Sequence, residues 1–136
     1  MVWSCLVSIL PGMAQTEKLT DYVNPFVGTD GYGNVYPGAQ IPFGGIQISP
    51  DTDSRFYDAA SGYKYNHLTL MGFSLTHLSG TGIPDLGDFL FIPGTGEMKL
   101  EPGTHEDPDQ GYRSRYSHDK EWASPNYYAV ELADYG

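Results

Sequence analysis

Hydrophobic positions along this chain fall in short runs separated by glycine, proline and acidic turns. From Leu19 to Pro37 the pairs Asn24-Pro25, Asp30-Gly31 and Gly33-Asn34 are turn signals, and no amphipathic helix threads through them. Between Pro42 and Pro50 a short strand is expected, with Ile46 and Ile48 on one face and Gln47 and Ser49 on the other. Leu68 to Leu75 reads as a longer strand: Met71, Phe73, Leu75 and His77 share one face, and Leu68, Leu70, Gly72 and Ser74 the other. Both faces are largely apolar, which places that strand inside a two-layer sandwich. Phe89 to Ile92 is continuously apolar up to Pro93-Gly94 and predicts a fully buried strand, followed by an exposed connection over Glu97 to Gln110. Tyr112, Ser114, Tyr116 and His118 alternate with Arg113, Arg115 and Ser117, and Tyr128, Val130 and Leu132 share a face. Strands at this spacing with turn chemistry between them predict an all-β fold, an antiparallel β-sandwich.

Composition narrows the function classes. A formal charge of -10 with seven Lys and Arg argues against nucleic acid or an anionic membrane surface as partner. Seventeen Gly, ten Pro and eleven Tyr fit a loop-rich β protein. The first fifteen residues, MVWSCLVSILPGMAQ, carry an apolar run from Val2 to Leu10 and small residues at Gly12 and Ala14. They are read as a truncated signal peptide over residues 1–14, its missing basic start explained by a mis-chosen start codon, so the protein is expected to be exported, periplasmic or extracellular. The run is too short to span a membrane, and no later one is longer. Cys5 lies in this leader, where lipid attachment is the weaker alternative, and leaves residues 19–136 without thiol chemistry.

The candidate chemistry gathers between Thr76 and Phe91, THLSGTGIPDLGDFLF. A dinucleotide fingerprint fails there because Asp85 and Pro84 stand where a third glycine and a helix start belong. The pentapeptide around Ser74 lacks the closing glycine of a nucleophile elbow, so Ser74 is read as a strand residue. His67, His77, His105 and His118 lack zinc spacing. His77 either meets a ligand hydroxyl or is satisfied by its own loop. Asp85 and Asp88 form the obvious carboxylate pair for work on a sugar. Asp88 is read as holding its turn closed, and Asp85 stays open between the two roles. Asp51 to Asp58 invites a calcium-loop reading, but Arg55 and the absent glycine make a solvated turn the expectation.

The segments YVNPFVGTDGYGNVYPGAQIPFGGIQISPDT (22–52), SGYKY (61–65), GFSLTHLSGTGIPDLGD (72–88) and YRSRYSHDKEWASPNYYAVELADYG (112–136) resemble the N-terminal domain of glycoside hydrolase family 92. The resemblance implies a calcium-dependent, exo-acting, inverting α-mannosidase whose N-terminal β-sandwich packs on an (α/α)6 barrel. In that family the barrel holds the catalytic acid, the base and most of the calcium environment. It also implies that residues 19–136 form a sandwich incomplete at the C-terminus, with no catalytic residue and no metal ligand of its own, inactive alone. Its share would be one wall of the subsite for a terminal α-mannosyl residue, through Gly28, Ser61, Tyr63, His77, Gly82, Ile83 and Asp85. The sequence departs from the family pattern at Ile83, at Phe56 to Ala60 and at Leu75. The alternative is a stand-alone carbohydrate-binding β-sandwich module.

Overall fold

The computed structural model describes residues 17–53, 57–80, 82–85 and 87–135. Among the described residues six short strands pair two by two, all antiparallel, so the all-β class holds. Strand β1 (Ser49–Asp51) pairs with β3 (Gly72–Ser74), β2 (Thr69–Leu70) with β4 (Ser114–Arg115), and β5 (Glu121–Ser124) with β6 (Tyr127–Val130). Helical structure among the described residues is limited to single 3-10 turns at Leu19–Tyr22, Tyr57–Ala59, Pro108–Gln110 and His118–Lys120.

Single bridges widen the first ribbon on both sides, Ala39 against Ile48 and Phe91 against Phe73. Pro50, expected to bound its strand, lies in the middle of it opposite Phe73. No ladder bond is lost, because the Phe73 amide and carbonyl are both taken by Phe91, at 2.7 and 2.9 Å. The expected strand from Leu68 to Leu75 is divided at Met71, whose amide donates to the Asp51 carbonyl at 2.7 Å. Gly72 follows with φ +153, and a Cβ there would meet the Phe91 carbonyl oxygen at 2.7 Å. The chain therefore turns from partner β4 to partner β1 at a position only glycine fills.

The buried hydrophobic set is small: Tyr63, Leu70, Ala59, Ala60, Met71 and Tyr116. Polar groups share the interior with it, including Thr52, Asp53, Ser61, Arg113 and Glu121. The structure corrects the expectation for Phe89 to Ile92, which is not a fully buried strand, since Phe89 is 75% and Phe91 60% exposed. Ile46 and Ile48 are exposed as well. The solvated turn also fails at its start: Asp51, Thr52 and Asp53 are all buried, each held by a histidine. Ser54 to Phe56 of that turn, and Thr81 and Leu86 of the glycine loop, lie outside the described residues, as does the predicted leader.

Candidate functional site

Three loops that carry the sequence signals converge. Asn24 closes the first by accepting from the Phe26 amide at 2.9 Å, and Thr29 Oγ1 donates to the Phe26 carbonyl at 2.8 Å. The Thr29 carbonyl then accepts from the Tyr65 amide at 2.9 Å, joining this loop to the segment 61–65. The Asn34 carbonyl accepts from the Gly80 amide at 2.7 Å, joining it to the glycine loop. Lys64, buried, reaches the Gly31 carbonyl with Nζ at 2.9 Å.

Beneath these loops lies β1. His77 is buried, and its amide and both ring nitrogens have partners. Its amide donates to Gln47 Oε1 at 3.0 Å, Nδ1 donates to the Gln47 carbonyl at 2.8 Å, and Nε2 lies 3.0 Å from Ser74 Oγ and 3.1 Å from Asp51 Oδ1. Its partners are thus the strand below it rather than its own loop. Ser, His and Asp meet here without forming a catalytic triad. A triad sets the carboxylate on Nδ1 and frees the serine, whereas here both face Nε2 and Ser74 is fully buried. Gly62 packs on the same pair with φ +86, where a Cβ would come within 2.1 Å of Asp51 Oδ1.

Of the seven residues singled out from sequence, Gly28, Gly82, Ile83 and Asp85 are on or near the surface of the converging loops, and Ser61, Tyr63 and His77 are inside. Tyr63 donates to Glu121 Oε1 at 2.9 Å. Burial above all raises the Tyr63 and Tyr128 phenols far above the ordinary tyrosine range, helped by Tyr116 and Glu121 at Tyr63 and by Glu121 at Tyr128, and Tyr116 is raised by burial and Glu121. Asp88 accepts from Thr76 Oγ1 at 3.2 Å and its carbonyl faces the Leu75 amide, so it holds the loop closed.

Sequence reasoning missed the histidine clamps of β1. Besides Asp51 with His77, Thr52 Oγ1 lies 3.1 Å from His67 Nδ1, and Asp53 Oδ2 lies 3.1 Å from His105 Nε2. Arg113 Nη1 faces His105 Nδ1 at 3.4 Å, and a guanidinium only donates, so His105 carries its proton on Nε2 and gives it to Asp53. No sequence spacing signals contacts this distant along the chain. Calcium does not fit this acidic stretch, because both aspartates already turn oxygens to histidine nitrogens. No group of three His, Cys, Asp or Glu side chains placed to hold a metal occurs among the described residues. The exposed positions of these loops include Gly82, Ile83 and Asp85.

Two open grooves lie elsewhere, of about 760 Å³ between residues 90–100 and 108–113, and about 880 Å³ between residues 93–95 and 130–135. Neither includes a residue singled out from sequence. No helix among the described residues is long and apolar enough to cross a membrane.

The family model described as the glycosyl hydrolase family 92 N-terminal domain matches residues 22–136. A protein described as an uncharacterized secreted glycosidase, from Arthroderma benhamiae, is 36% identical over 73 residues, 53% of this chain and 9% of that one. Among solved structures, the GH92 family glycosyl hydrolase CcMan5 superposes with a TM-score of 0.69 at 33% identity, over 85% of this chain and 14% of that one. The family GH92 inverting mannosidase BT2199 of Bacteroides thetaiotaomicron VPI-5482 superposes with a TM-score of 0.55 at 23% identity, over 87% and 16%, a likeness of fold. This chain therefore spans about a tenth to a sixth of the length of these relatives.

Proposed function

The chain belongs to glycoside hydrolase family 92, through that family's N-terminal domain, and we propose that it supplies one wall of the sugar subsite in an exo-acting, inverting, calcium-dependent α-mannosidase. The convergence of the three loops through the Asn34–Gly80 and Thr29–Tyr65 backbone bonds carries this reading. Gly28, Gly82, Ile83 and Asp85 are exposed on the joined loops, while Ser61, Tyr63 and His77 are buried. In this division of labour, exposed Asp85 and the loop amides orient hydroxyls of a terminal α-mannosyl residue. His77 and Tyr63 keep the loops in place from below.

The acid and base that invert an anomeric centre stand about 6.5 to 9.5 Å apart with a water between them. The buried carboxylates Asp51, Asp53 and Glu121 are each committed to a histidine. In this reading the chemistry is the work of a barrel domain, which would also hold calcium. Export fits the secreted description of the Arthroderma relative.

The test is an assay of residues 15–136 with an aryl α-mannoside and calcium. No hydrolysis is expected, and clear turnover would overturn the assignment of catalysis to another domain. Measurable mannoside binding together with a cooperative melt would favour the second reading, a stand-alone carbohydrate-binding module. The broad exposure of Phe89, Phe91, Met98 and Leu100 favours the larger assembly.

A further inference from the structure

Asp30-Gly31 is the only place in the chain where an aspartate or asparagine precedes a glycine. Such a pair can rearrange without an enzyme, by attack of the glycine nitrogen on the aspartyl side chain. In a folded protein two things ordinarily stop it. A Cβ on the following residue crowds the approach, and hydrogen bonds hold the amide or the carboxylate.

Neither obstacle is present here. Gly31 has φ +60, and a Cβ on it would meet nothing within 4 Å. Asp30, Gly31 and Tyr32 are exposed, Tyr32 at 90%. Among the described residues no hydrogen bond or ion pair engages the Asp30 carboxylate or the Gly31 amide. Other aspartates are engaged: Asp51 and Asp53 with histidines, Asp88 with Thr76, Asp109 and Asp134 with Arg115. The ties of this loop fall on the groups around the reacting pair. The Thr29 carbonyl accepts from the Tyr65 amide at 2.9 Å, the Gly31 carbonyl from Lys64 Nζ at 2.9 Å, and the Asp30 carbonyl from the Gly33 amide at 3.2 Å.

We propose that Asp30 is a site of spontaneous isomerisation, at which this loop converts to isoaspartate through a cyclic imide. The Gly31 nitrogen bonds to Asp30 Cγ, and its proton leaves with a carboxyl O–H group as one water molecule. A second water opens the ring. Adding at Cγ, it breaks the new bond and restores aspartate. Adding at the main-chain carbonyl carbon of Asp30, it breaks that carbon's bond to the Gly31 nitrogen. The chain then runs on through Cβ and Cγ, and the former main-chain carbonyl becomes the free carboxylate. Nothing is oxidised or reduced, and composition is unchanged.

The product carries one extra carbon in the backbone between Thr29 and Gly31. Both of those residues are fastened to the segment 61–65, and the Asp30 carbonyl that met the Gly33 amide is now part of a carboxylate. Isomerisation therefore slackens the joint between the first loop and that segment. The inference is independent of the mannosidase reading, although it falls in one loop of that site.

The test holds this chain at body temperature in buffered water enriched in heavy oxygen, digests it in ordinary water and measures the peptide masses. Each passage through the imide leaves one heavy oxygen, whichever product forms. The Asp30 peptide of the folded chain should gain label faster than any other aspartyl peptide, within a few-fold of the same chain unfolded in guanidinium chloride. It should also become resistant to an endoproteinase that cuts before aspartate but not before isoaspartate. Asp30→Glu, whose side chain would have to close a larger ring, should lose both signals. A folded chain whose Asp30 peptide gains no more label than its other aspartyl peptides would overturn the proposal, whatever the unfolded chain does. Label that persists in Asp30→Glu would overturn it as well.

Discussion

Substituting Gly62 by alanine should be among the most damaging single-methyl additions in this chain. The residue has φ +86, a region that costs an L-residue roughly 1–2 kcal/mol. The added Cβ would sit 2.1 Å from Asp51 Oδ1 and 3.1 Å from His77 Cδ2. The carboxylate must therefore retreat by about 1 Å to restore ordinary contact, which takes it out of its 3.1 Å bond to His77 Nε2. Neither partner has access to water in compensation, with side chains 5% and 2% exposed. Breaking a buried pair of this kind costs about 3–5 kcal/mol. The backbone on either side cannot swing away freely, because the Gly62 carbonyl accepts from the Thr52 and Asp53 amides at 2.7 and 3.1 Å. The sum, about 4–7 kcal/mol, is a large share of the 5–15 kcal/mol that stabilises a typical domain. Urea denaturation of Gly62→Ala beside the parent measures it. Gly45→Ala is the control, since a Cβ there meets nothing within 4 Å, and its shift should stay within about 0.5 kcal/mol. A Gly62→Ala shift below about 1 kcal/mol would refute the argument that Asp51 and His77 are locked against this glycine.

The buried phenols predict an alkaline limit. Tyr63 and Tyr116 are raised by burial, so the folded chain keeps protons that the unfolded chain loses above about pH 10. Their stabilising contribution is whole below that pH and should decline above it by about 1.4 kcal/mol per pH unit for each tyrosine. Melts between pH 9 and 11.5, with phenolate absorbance, should show these two ionising only with unfolding. Phenolate formation by all eleven tyrosines before the melt would contradict their burial. Leu70 is fully buried at the β2–β4 junction, and Leu70→Ala should cost about 2–5 kcal/mol in the same denaturation assay.

The sequence made the class of fold legible because antiparallel strands leave a local signature. Tyr128 and Val130 in β6 and Leu132 just beyond it are half-buried and Tyr127 and Glu131 exposed, with Ala129, half-buried too, the one departure from the alternation. The turn chemistry was equally local, as at Asn24 and in the ties of Asp88 to Thr76 and Leu75. Local hydropathy failed where burial depends on distant partners. Phe89 and Phe91 read as interior and lie exposed, while Asp51 and Asp53 read as solvated and lie inside. An acidic residue enters a core only with a partner, and the histidines that make this possible come from far along the chain. The site residues divide for the same reason. Glycine-loop positions were identified by composition, but whether His77 and Tyr63 face a ligand or a strand depends on packing that no spacing records.

The three histidine clamps at the end of β1 and just after it also bear on how the molecule comes into being. The contacts of Asp51, Thr52 and Asp53 close loops of 26, 15 and 52 residues. Closure entropy grows only with the logarithm of loop length, so the longest costs about 1.1 kcal/mol more than the shortest. The greater consequence is temporal. On a ribosome adding about 5–20 residues each second, Asp53 precedes His105 by several seconds, during which the stretch just after β1 carries a carboxylate whose histidine has not been made. The polar interior can close only after the connection bearing His105 emerges, which makes that exposed stretch the final fastener of the first ribbon rather than a passive link.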